Sequence, residues 1–206
     1  MLLFFIFVSI KKRSLNFFFF LFNTFNTLYG ISLKYPERTS DMIMKVSQLM
    51  RYQVENGNKE FVSLQDELEF ISSYIELEKE RVGYRCDISF QQDVDFESNY
   101  KIAPMLLITF IENAFKHTDF LAQDSFISIY MELEDGIFTM KVSNKASLKN
   151  ILEKEKSGFG SQSFDQRLKM IYSTYYQLEK SSKNGVFTAE LKINLGEFYD
   201  KMRYSG

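Results

Sequence analysis

The stretch that most constrains the fold of this chain is residues 104–118, PMLLITFIENAFKHT. Its apolar residues recur at three- and four-residue spacings, which predicts an amphipathic helix with one stripe against a core. Pro104 suits the first helical turn, where its missing N–H costs little. The remaining arc of the predicted helix is polar and contains Glu112, Asn113, Lys116 and His117.

The polar arc has two interpretations that spacing alone leaves open. Asn113 and Lys116 are three residues apart, so they are neighbours on a helix surface. An amide oxygen can ligate a hard cation such as Mg²⁺, and a lysine can meet a phosphate as a point charge. The alternative is an ordinary surface helix with a solvated face.

Composition excludes several classes of function. The chain has 206 residues, enough for one domain or two small ones, and 45% of them are hydrophobic, which excludes a disordered polymer. A net charge of −2 does not indicate direct nucleic-acid binding. Cys86 is the single cysteine, so no intrachain disulfide can form, and one His with one Cys is too few for a zinc site.

Residues 1–13 are an apolar run that ends in Lys11-Lys12-Arg13. The run is too short to span a bilayer, which takes about 20 apolar residues. An apolar segment followed by a basic cluster is the order found where a membrane helix enters the cytoplasm. We therefore expect either the remnant of such a helix, with membrane contact through residues 1–22, or a mistranslated start.

Two amphipathic helices are predicted next, over residues 14–33 and 41–55, with Ser40 as the N-cap of the second. The apolar face of the second helix is predicted to hold Ile43, Val46, Leu49, Met50 and Val54. A hairpin of this size has too little core to stand alone. Dimerisation of residues 14–57 into a four-helix bundle would supply the missing burial.

A third helix is predicted from Ser63 to Gly83, with Ser63 and Asp66 forming a near capping box. It carries many carboxylates. A paired-acid catalytic site is one interpretation of them, and a solvated face laced with ion pairs is the interpretation we favour. The carboxylates concerned are Glu67, Glu69, Glu76, Glu78 and Glu80.

Strands and a second functional segment follow. Alternating residues predict strands over 87–91, 125–133, 138–142 and 187–193, with Asp135-Gly136 as a hairpin turn. A helix is predicted to open at Ser157-Gly-Phe-Gly160 and to end near Tyr176, and residues 196–206 are predicted to be a polar tail. Glycines at a helix N-terminus let backbone N–H groups approach a phosphate, although a plain loop-to-helix turn is the commoner meaning.

Four blocks of the chain resemble sensor histidine kinases of the LytS type. The first is Glu-Asn-Ala-Phe-Lys-His in the central helix, which resembles the N box of that family, and the others stand in the expected order around it. They are Phe20-Leu-Phe-Asn-Thr-Phe-Asn26 with Leu49-Met-Arg-Tyr52, the segment from Leu64 to Arg81, and Gly158-Phe-Gly160 followed by residues 164–172.

The resemblance implies a site for ATP and Mg²⁺ between the central helix and the glycine loop. It implies that Asn113 holds Mg²⁺ against the phosphates, with Lys116 and His117 close to the nucleotide and Glu112 orienting polar groups or acting as an acid or base. Asn144 would reach the adenine amino group, with a buried turn asparagine as the alternative. Further nucleotide contacts would come from Gly158, Gly160 and Arg167, although Ser161 and Ser163 depart from the G box of the family.

The same family carries its phospho-acceptor histidine on the first helix of the hairpin, in the pattern N-P-H. Here the three positions are Phe17, Phe18 and Phe19, so the acceptor is replaced by Phe19. Phenylalanine has no nucleophilic nitrogen, and the single histidine, His117, is assigned to the nucleotide site.

The sequence therefore predicts an α+β chain with a helical hairpin followed by a GHKL-type α/β sandwich with a mixed sheet. The expected units are residues 1–13, 14–57, 58–196 and a tail at 197–206. One functional hypothesis is a histidine kinase of a two-component system, dimeric, on the cytoplasmic side of the membrane or in the cytoplasm, and partnered by a response regulator of the LytTR type. The other is a non-catalytic dimeric nucleotide-binding scaffold, a pseudokinase or damaged gene product. A membrane-surface protein driven by the Phe cluster is a third.

Overall fold

The computed structural model describes residue 22 and residues 24–94, 99–146 and 159–204, and the predicted α+β fold is confirmed. The helices in this part of the chain are α1 (24–34), α2 (Thr39–Asn56), α3 (Leu64–Val82), α4 (Ile108–His117), α5 (Phe159–Tyr172) and α6 (Leu195–Tyr204). The strands are β1 (Val62–Ser63), β2 (Asp87–Asp93), β3 (Lys101–Ile102), β4 (Phe126–Glu134), β5 (Ile137–Lys145), β6 (Tyr176–Lys183) and β7 (Val186–Asn194).

The main sheet has five strands in the order β2-β4-β5-β7-β6, and it is mixed because β2 and β4 are parallel whereas the other pairs are antiparallel. The turn between β4 and β5 is the predicted one, with positive φ at both Asp135 and Gly136. Alternate residues such as Ile127, Ile129 and Met131 are fully buried, whereas their neighbours are partly exposed. One face of the sheet therefore carries the helices, which makes a two-layer sandwich.

The central helix begins later than predicted. Pro104 lies in a turn that precedes α4, and Met105 in that turn has a φ of 58°, which a continuous right-handed helix excludes. The helix starts at Ile108, where the chain returns to helical geometry. Its apolar stripe is as predicted, since Ile108, Ile111 and Phe115 are all buried.

The second hairpin helix differs from the prediction in its start and in its buried face. A 3₁₀ turn, Pro36–Arg38, runs directly into α2, so the helix begins at Thr39 and Ser40 is not its N-cap. The buried face holds Met42, Val46 and Leu49. The three remaining residues of the predicted face are exposed, namely Ile43, Met50 and Val54.

Helix α3 begins as a continuation of a small sheet rather than with a capping box. Ser63 pairs with Lys101 across β1 and β3, and the N–H of Leu64 donates to the carbonyl of Tyr100 at 2.9 Å. The Ser63 side chain makes no capping hydrogen bond. The strand pairing takes over the anchoring that the sequence pattern assigned to the cap.

Helices α2 and α3 pack against each other in opposite directions. Ion pairs join Arg38 to Glu80 and Lys45 to Glu76. Further along, the rings of Tyr52 and Phe70 stack with centroids 4.5 Å apart. Because residue numbers rise on one helix as they fall on the other, these contacts fix the hairpin along the length of α3.

The C-terminal part contains two elements that the sequence analysis missed. Helix α5 ends at Tyr172, and the chain turns through Ser173, at a φ of 52°, into strand β6. Strand β6 was missed because it is a largely exposed edge strand with no clear apolar alternation. The expected polar tail is helix α6, whose Phe198 is buried with its ring 5.0 Å from that of Tyr172.

Several sequence predictions fall outside the described residues. These are the segment 1–13, the position of Phe19 and Gly158. In the part of the chain that is described, no helix combines the length and apolar character needed to cross a bilayer.

Candidate functional site

The polar arc of α4 is formed as the sequence predicted. Asn113 and Lys116 are exposed, and Glu112 and His117 are half-buried at either end of that pair. The opposite stripe of the helix packs on β4 and β5, which leaves the arc directed away from the sheet. The arrangement places an amide and an ammonium group within one turn of each other on an accessible surface.

The end of α4 is fastened to the end of β5. Thr118 forms a bridge with Ala146, and the N–H of Asp119 donates to the carbonyl of Lys145 at 2.9 Å. Asn144 lies in the strand beside this junction and is only 1% exposed, so it is a buried strand residue and not a turn residue. It shares the helix-covered face of the sheet with its partner Ile127. The fold thus brings Asn144 to the end of α4 that carries His117.

Glu112 faces helix α3. Tyr74 on α3 is buried, and its ring lies 6.3 Å from that of Phe115 in an edge-on arrangement. Burial raises the pKa of Tyr74 well above its ordinary value, and the negative charges of Glu78 and Glu112 raise this pKa further. Glu112 is therefore the member of the polar arc that lies near Tyr74 on α3, where a carboxylate can orient its neighbours.

Arg167 contacts the backbone that leads into α4. Its guanidinium donates to the carbonyl of Pro104 at 2.7 Å and to that of Met105 at 3.3 Å. These bonds place Arg167 at the start of α4, whereas Asn144 lies at its end. A helix of ten residues is about 15 Å long, so these two predicted site residues are separated by the whole of α4.

The glycine segment is described in part. Gly158 lies outside the described residues, and Gly160 lies in the first turn of α5. Helix α5 runs beside α4, since the rings of Phe110 and Phe164 meet edge-on at 4.8 Å. The first turn of α5 and the polar arc of α4 therefore belong to the same side of the sandwich.

Two carboxylates that the sequence analysis assigned to a solvated face are buried. Glu78 is 4% exposed and pairs with Arg81, and Glu67 is 0% exposed. Glu67 accepts hydrogen bonds on one oxygen from the Tyr52 hydroxyl at 2.5 Å and from the Met105 N–H at 3.0 Å. Burial raises the pKa of Glu67, and the bonds from Tyr52 and Met105, with the positive charge of Arg167, offset part of this rise.

The sequence contained a signal for the hydrogen bonds around Glu67. Tyr52 and Glu67 both occupy positions of the blocks that resemble the kinase family, one in Leu-Met-Arg-Tyr and the other in the segment from Leu64. Neither residue type is required by local helix geometry at its position. The contact between them joins different helices, and periodicity within a single helix does not reveal such contacts.

The described residues contain no cluster of three or more His, Cys, Asp or Glu side chains that could hold a metal ion as a cage. Magnesium is often bound through one or two protein oxygens together with substrate phosphates and waters. The exposed amide of Asn113, one turn from Lys116, fits that mode.

Comparison with known proteins agrees with the fold and the sequence blocks. A family model described as histidine kinase matches residues 19–86. The sensor histidine kinase BtsS of Escherichia coli is 25% identical over 170 residues, which cover 82% of this chain and 30% of that protein. The sensor protein LytS of Bacillus subtilis is 24% identical over 176 residues, which cover 80% of this chain and 30% of that protein. The chain thus spans about 30% of the length of these relatives.

A solved structure shows the same fold. The histidine kinase domain of the blue-light-activated histidine kinase from Erythrobacter litoralis superposes with a TM-score of 0.51 at 10% identity, covering 84% of this chain and 82% of that one. This likeness concerns the fold, whereas the sequence relatives support the resemblance to LytS-type sensor histidine kinases that the four blocks indicated. This chain is therefore similar to histidine kinases over residues 19–86, and to the sensor proteins BtsS and LytS over about 80% of its length.

Proposed function

We propose that the chain comprises the dimerisation and ATP-binding regions of a sensor histidine kinase, with Mg²⁺-ATP bound over residues 58–196. The observation that carries the proposal is the exposed pair Asn113 and Lys116 on α4, beside the start of α5. The amide oxygen of Asn113 can ligate a cation, and the ammonium group of Lys116 can bind an anion, so the pair suits a ligand that contains both. ATP with its magnesium ion is such a ligand.

The proposal gives each residue of the site a role. Asn113 would ligate Mg²⁺ through its amide oxygen, Lys116 would neutralise phosphate charge, and His117 would lie close to the nucleotide. Glu112 would orient these groups or exchange a proton as an acid or base. The N–H groups at the start of α5 would meet phosphate oxygens, as helix N-termini do. Asn144 would contact adenine, and Gly158 and Gly160 would allow close backbone approach. Arg167, which was expected to contact the nucleotide, would instead hold the segment before α4 through its bonds to Pro104 and Met105.

Dimerisation is proposed through the hairpin, residues 14–57. Large apolar side chains of α1 and α2 are exposed at spacings of three, four and seven residues, so each helix has an uncovered stripe. A second copy of the hairpin would cover them in a four-helix bundle. The stripe on α1 consists of Phe25, Tyr29 and Leu33, with Phe22 just before the helix, and the stripe on α2 consists of Ile43, Met50 and Val54.

Phosphoryl transfer is where this chain departs from its family. The acceptor position is Phe19, which offers no nitrogen lone pair, and it lies outside the described residues. We propose that this polypeptide binds Mg²⁺-ATP without phosphorylating itself at that position. Partnership with a response regulator of the LytTR type, and contact of residues 1–22 with the cytoplasmic face of a membrane, belong to the same proposal. The second candidate function, a nucleotide-binding scaffold, is favoured by Phe19 itself.

The test is titration of the whole chain with Mg²⁺-ATP in a calorimeter, for wild type and Asn113→Asp. The substitution adds a negative charge beside the phosphates, which at a separation of about 8 Å and an effective dielectric constant near 20 costs about 2 kcal/mol. Even if better metal ligation by the carboxylate offsets part of this cost, the affinity should fall about tenfold.

The matched control is Asn58→Asp, the same substitution at an exposed residue after α2. It should leave the affinity unchanged. Equal affinities for Asn113→Asp and wild type would remove Asn113 from the metal site.

A further inference from the structure

A hydrogen bond joins the hairpin to the interior of the sandwich. The Tyr52 hydroxyl on α2 donates to Glu67 on α3 at 2.5 Å, and the Tyr52 ring is held by stacking on Phe70. Glu67 is completely buried, so this bond is shielded from water. A hydrogen bond in such surroundings is stronger than one on the surface.

The carboxylate oxygen of Glu67 that accepts the Tyr52 hydroxyl also binds the segment before α4. It accepts the N–H of Met105 at 3.0 Å, and Met105 has the left-handed φ of 58°. A non-glycine residue holds that conformation only where its surroundings impose it. The surroundings here are Glu67 on the N–H, Arg167 on the carbonyls of Pro104 and Met105, and the Tyr172 hydroxyl, which accepts the N–H of Ala103 at 2.9 Å.

The other polar contacts described between α2 and α3 are of a different kind. The pairs Arg38–Glu80 and Lys45–Glu76 are ion pairs on partly exposed side chains, and their carboxylates end on α3. Surface ion pairs contribute little and are screened by salt. Among these contacts, the Tyr52–Glu67 bond is the one whose carboxylate also binds the chain entering α4.

We propose that Tyr52 and Glu67 are positioning residues that couple the hairpin to the candidate nucleotide site, by fixing where α4 begins. A displacement of α2 relative to α3 breaks the Tyr52 bond, relaxes the turn at Met105 and shifts the polar arc of α4. The effect on Mg²⁺-ATP affinity rests on the function proposed above. Because such coupling is reciprocal, bound nucleotide in turn stabilises the docked position of α2.

The experiment compares Tyr52→Phe with Lys45→Gln in the whole chain. Tyr52→Phe keeps the ring on Phe70 and removes only the hydroxyl. Lys45→Gln removes a different α2–α3 contact that does not reach Met105. Two quantities are measured for each variant, namely amide hydrogen exchange over residues 103–117 without nucleotide and Mg²⁺-ATP affinity by calorimetry.

For Tyr52→Phe, we expect faster exchange at Met105 and along α4, and an affinity for Mg²⁺-ATP that is about fivefold lower than in the wild type. Lys45→Gln should leave both quantities at the wild-type values. Glu67→Gln retains an acceptor oxygen and should behave close to wild type, whereas Glu67→Leu should reproduce the Tyr52→Phe effect. If Tyr52 and Glu67 had a purely structural role, their substitution would lower the free energy of unfolding without selectively changing the exchange along α4 and the affinity for Mg²⁺-ATP.

Wild-type exchange and affinity in Tyr52→Phe would overturn the proposal, as would equal changes in Lys45→Gln. If the wild-type chain fails to bind Mg²⁺-ATP, the proposed function is refuted and the coupling to nucleotide falls with it. The exchange measurement then still decides whether Tyr52 and Glu67 position α4.

Discussion

Replacing Tyr172 by Phe tests the account of how the segment before α4 is held. Tyr172 is fully buried, and its hydroxyl oxygen accepts the N–H of Ala103, which is itself fully buried. The Phe ring keeps the contact with Phe198, so little apolar burial is lost. What changes is that the Ala103 N–H loses its partner inside the protein.

An unsatisfied buried donor costs about 1–3 kcal/mol, so we expect the free energy of unfolding to fall by about 2 kcal/mol. For a chain of this length this corresponds to a decrease in Tm of about 4–8 °C. Urea unfolding followed by circular dichroism gives the free energy directly. The control is Tyr84→Phe, since Tyr84 is fully exposed and its substitution should change the free energy by less than about 0.5 kcal/mol. A loss for Tyr172→Phe no larger than that of the control would refute the argument.

Three further predictions address other parts of the account. The pKa of Glu67 is raised in the folded state, so the folded protein binds this proton more tightly than the unfolded chain does. The free energy of unfolding of the wild type, relative to that of Glu67→Gln, should therefore decline as the pH rises from the unfolded pKa of about 4.3 through the folded pKa. Urea unfolding over that pH range measures both free energies, and a difference between them that does not change with pH would contradict the prediction. Val54→Glu places a charge in the uncovered stripe of α2, so it should shift the chain from dimer to monomer in light scattering; a wild type that is already monomeric would refute the dimer proposal. Phe19→His, combined with Asn and Pro at positions 17 and 18, should restore phosphorylation from labelled ATP, and continued absence of label despite nucleotide binding would count against Phe19 as the lost acceptor position.

The sequence predicted the elements whose pattern is local and strong. The apolar stripe of α4 and the Asp135-Gly136 hairpin are examples, because helix periodicity and turn chemistry are properties of neighbouring residues. The four blocks that resemble the kinase family identified the fold, which no single motif could do.

The sequence did not predict features that depend on contacts between distant segments. Met105 leaves the helical conformation in a segment held by Glu67 and Arg167, which are far away in the sequence. Strand β6 is polar and gains its conformation from pairing with β7. The C-terminal segment was expected to be a polar tail, but it forms helix α6 because Phe198 packs against the ring of Tyr172. In each case, tertiary contact overrides local preference.

The most direct test of the central claim is calorimetric titration of the purified whole chain with Mg²⁺-ATP, with a parallel incubation in γ-labelled ATP. We expect saturable binding and no label on the protein, because α4 carries the proposed nucleotide site and Phe19 occupies the position of the family's acceptor histidine. Absence of binding would contradict the proposed nucleotide site, and label on the protein would contradict the interpretation of Phe19.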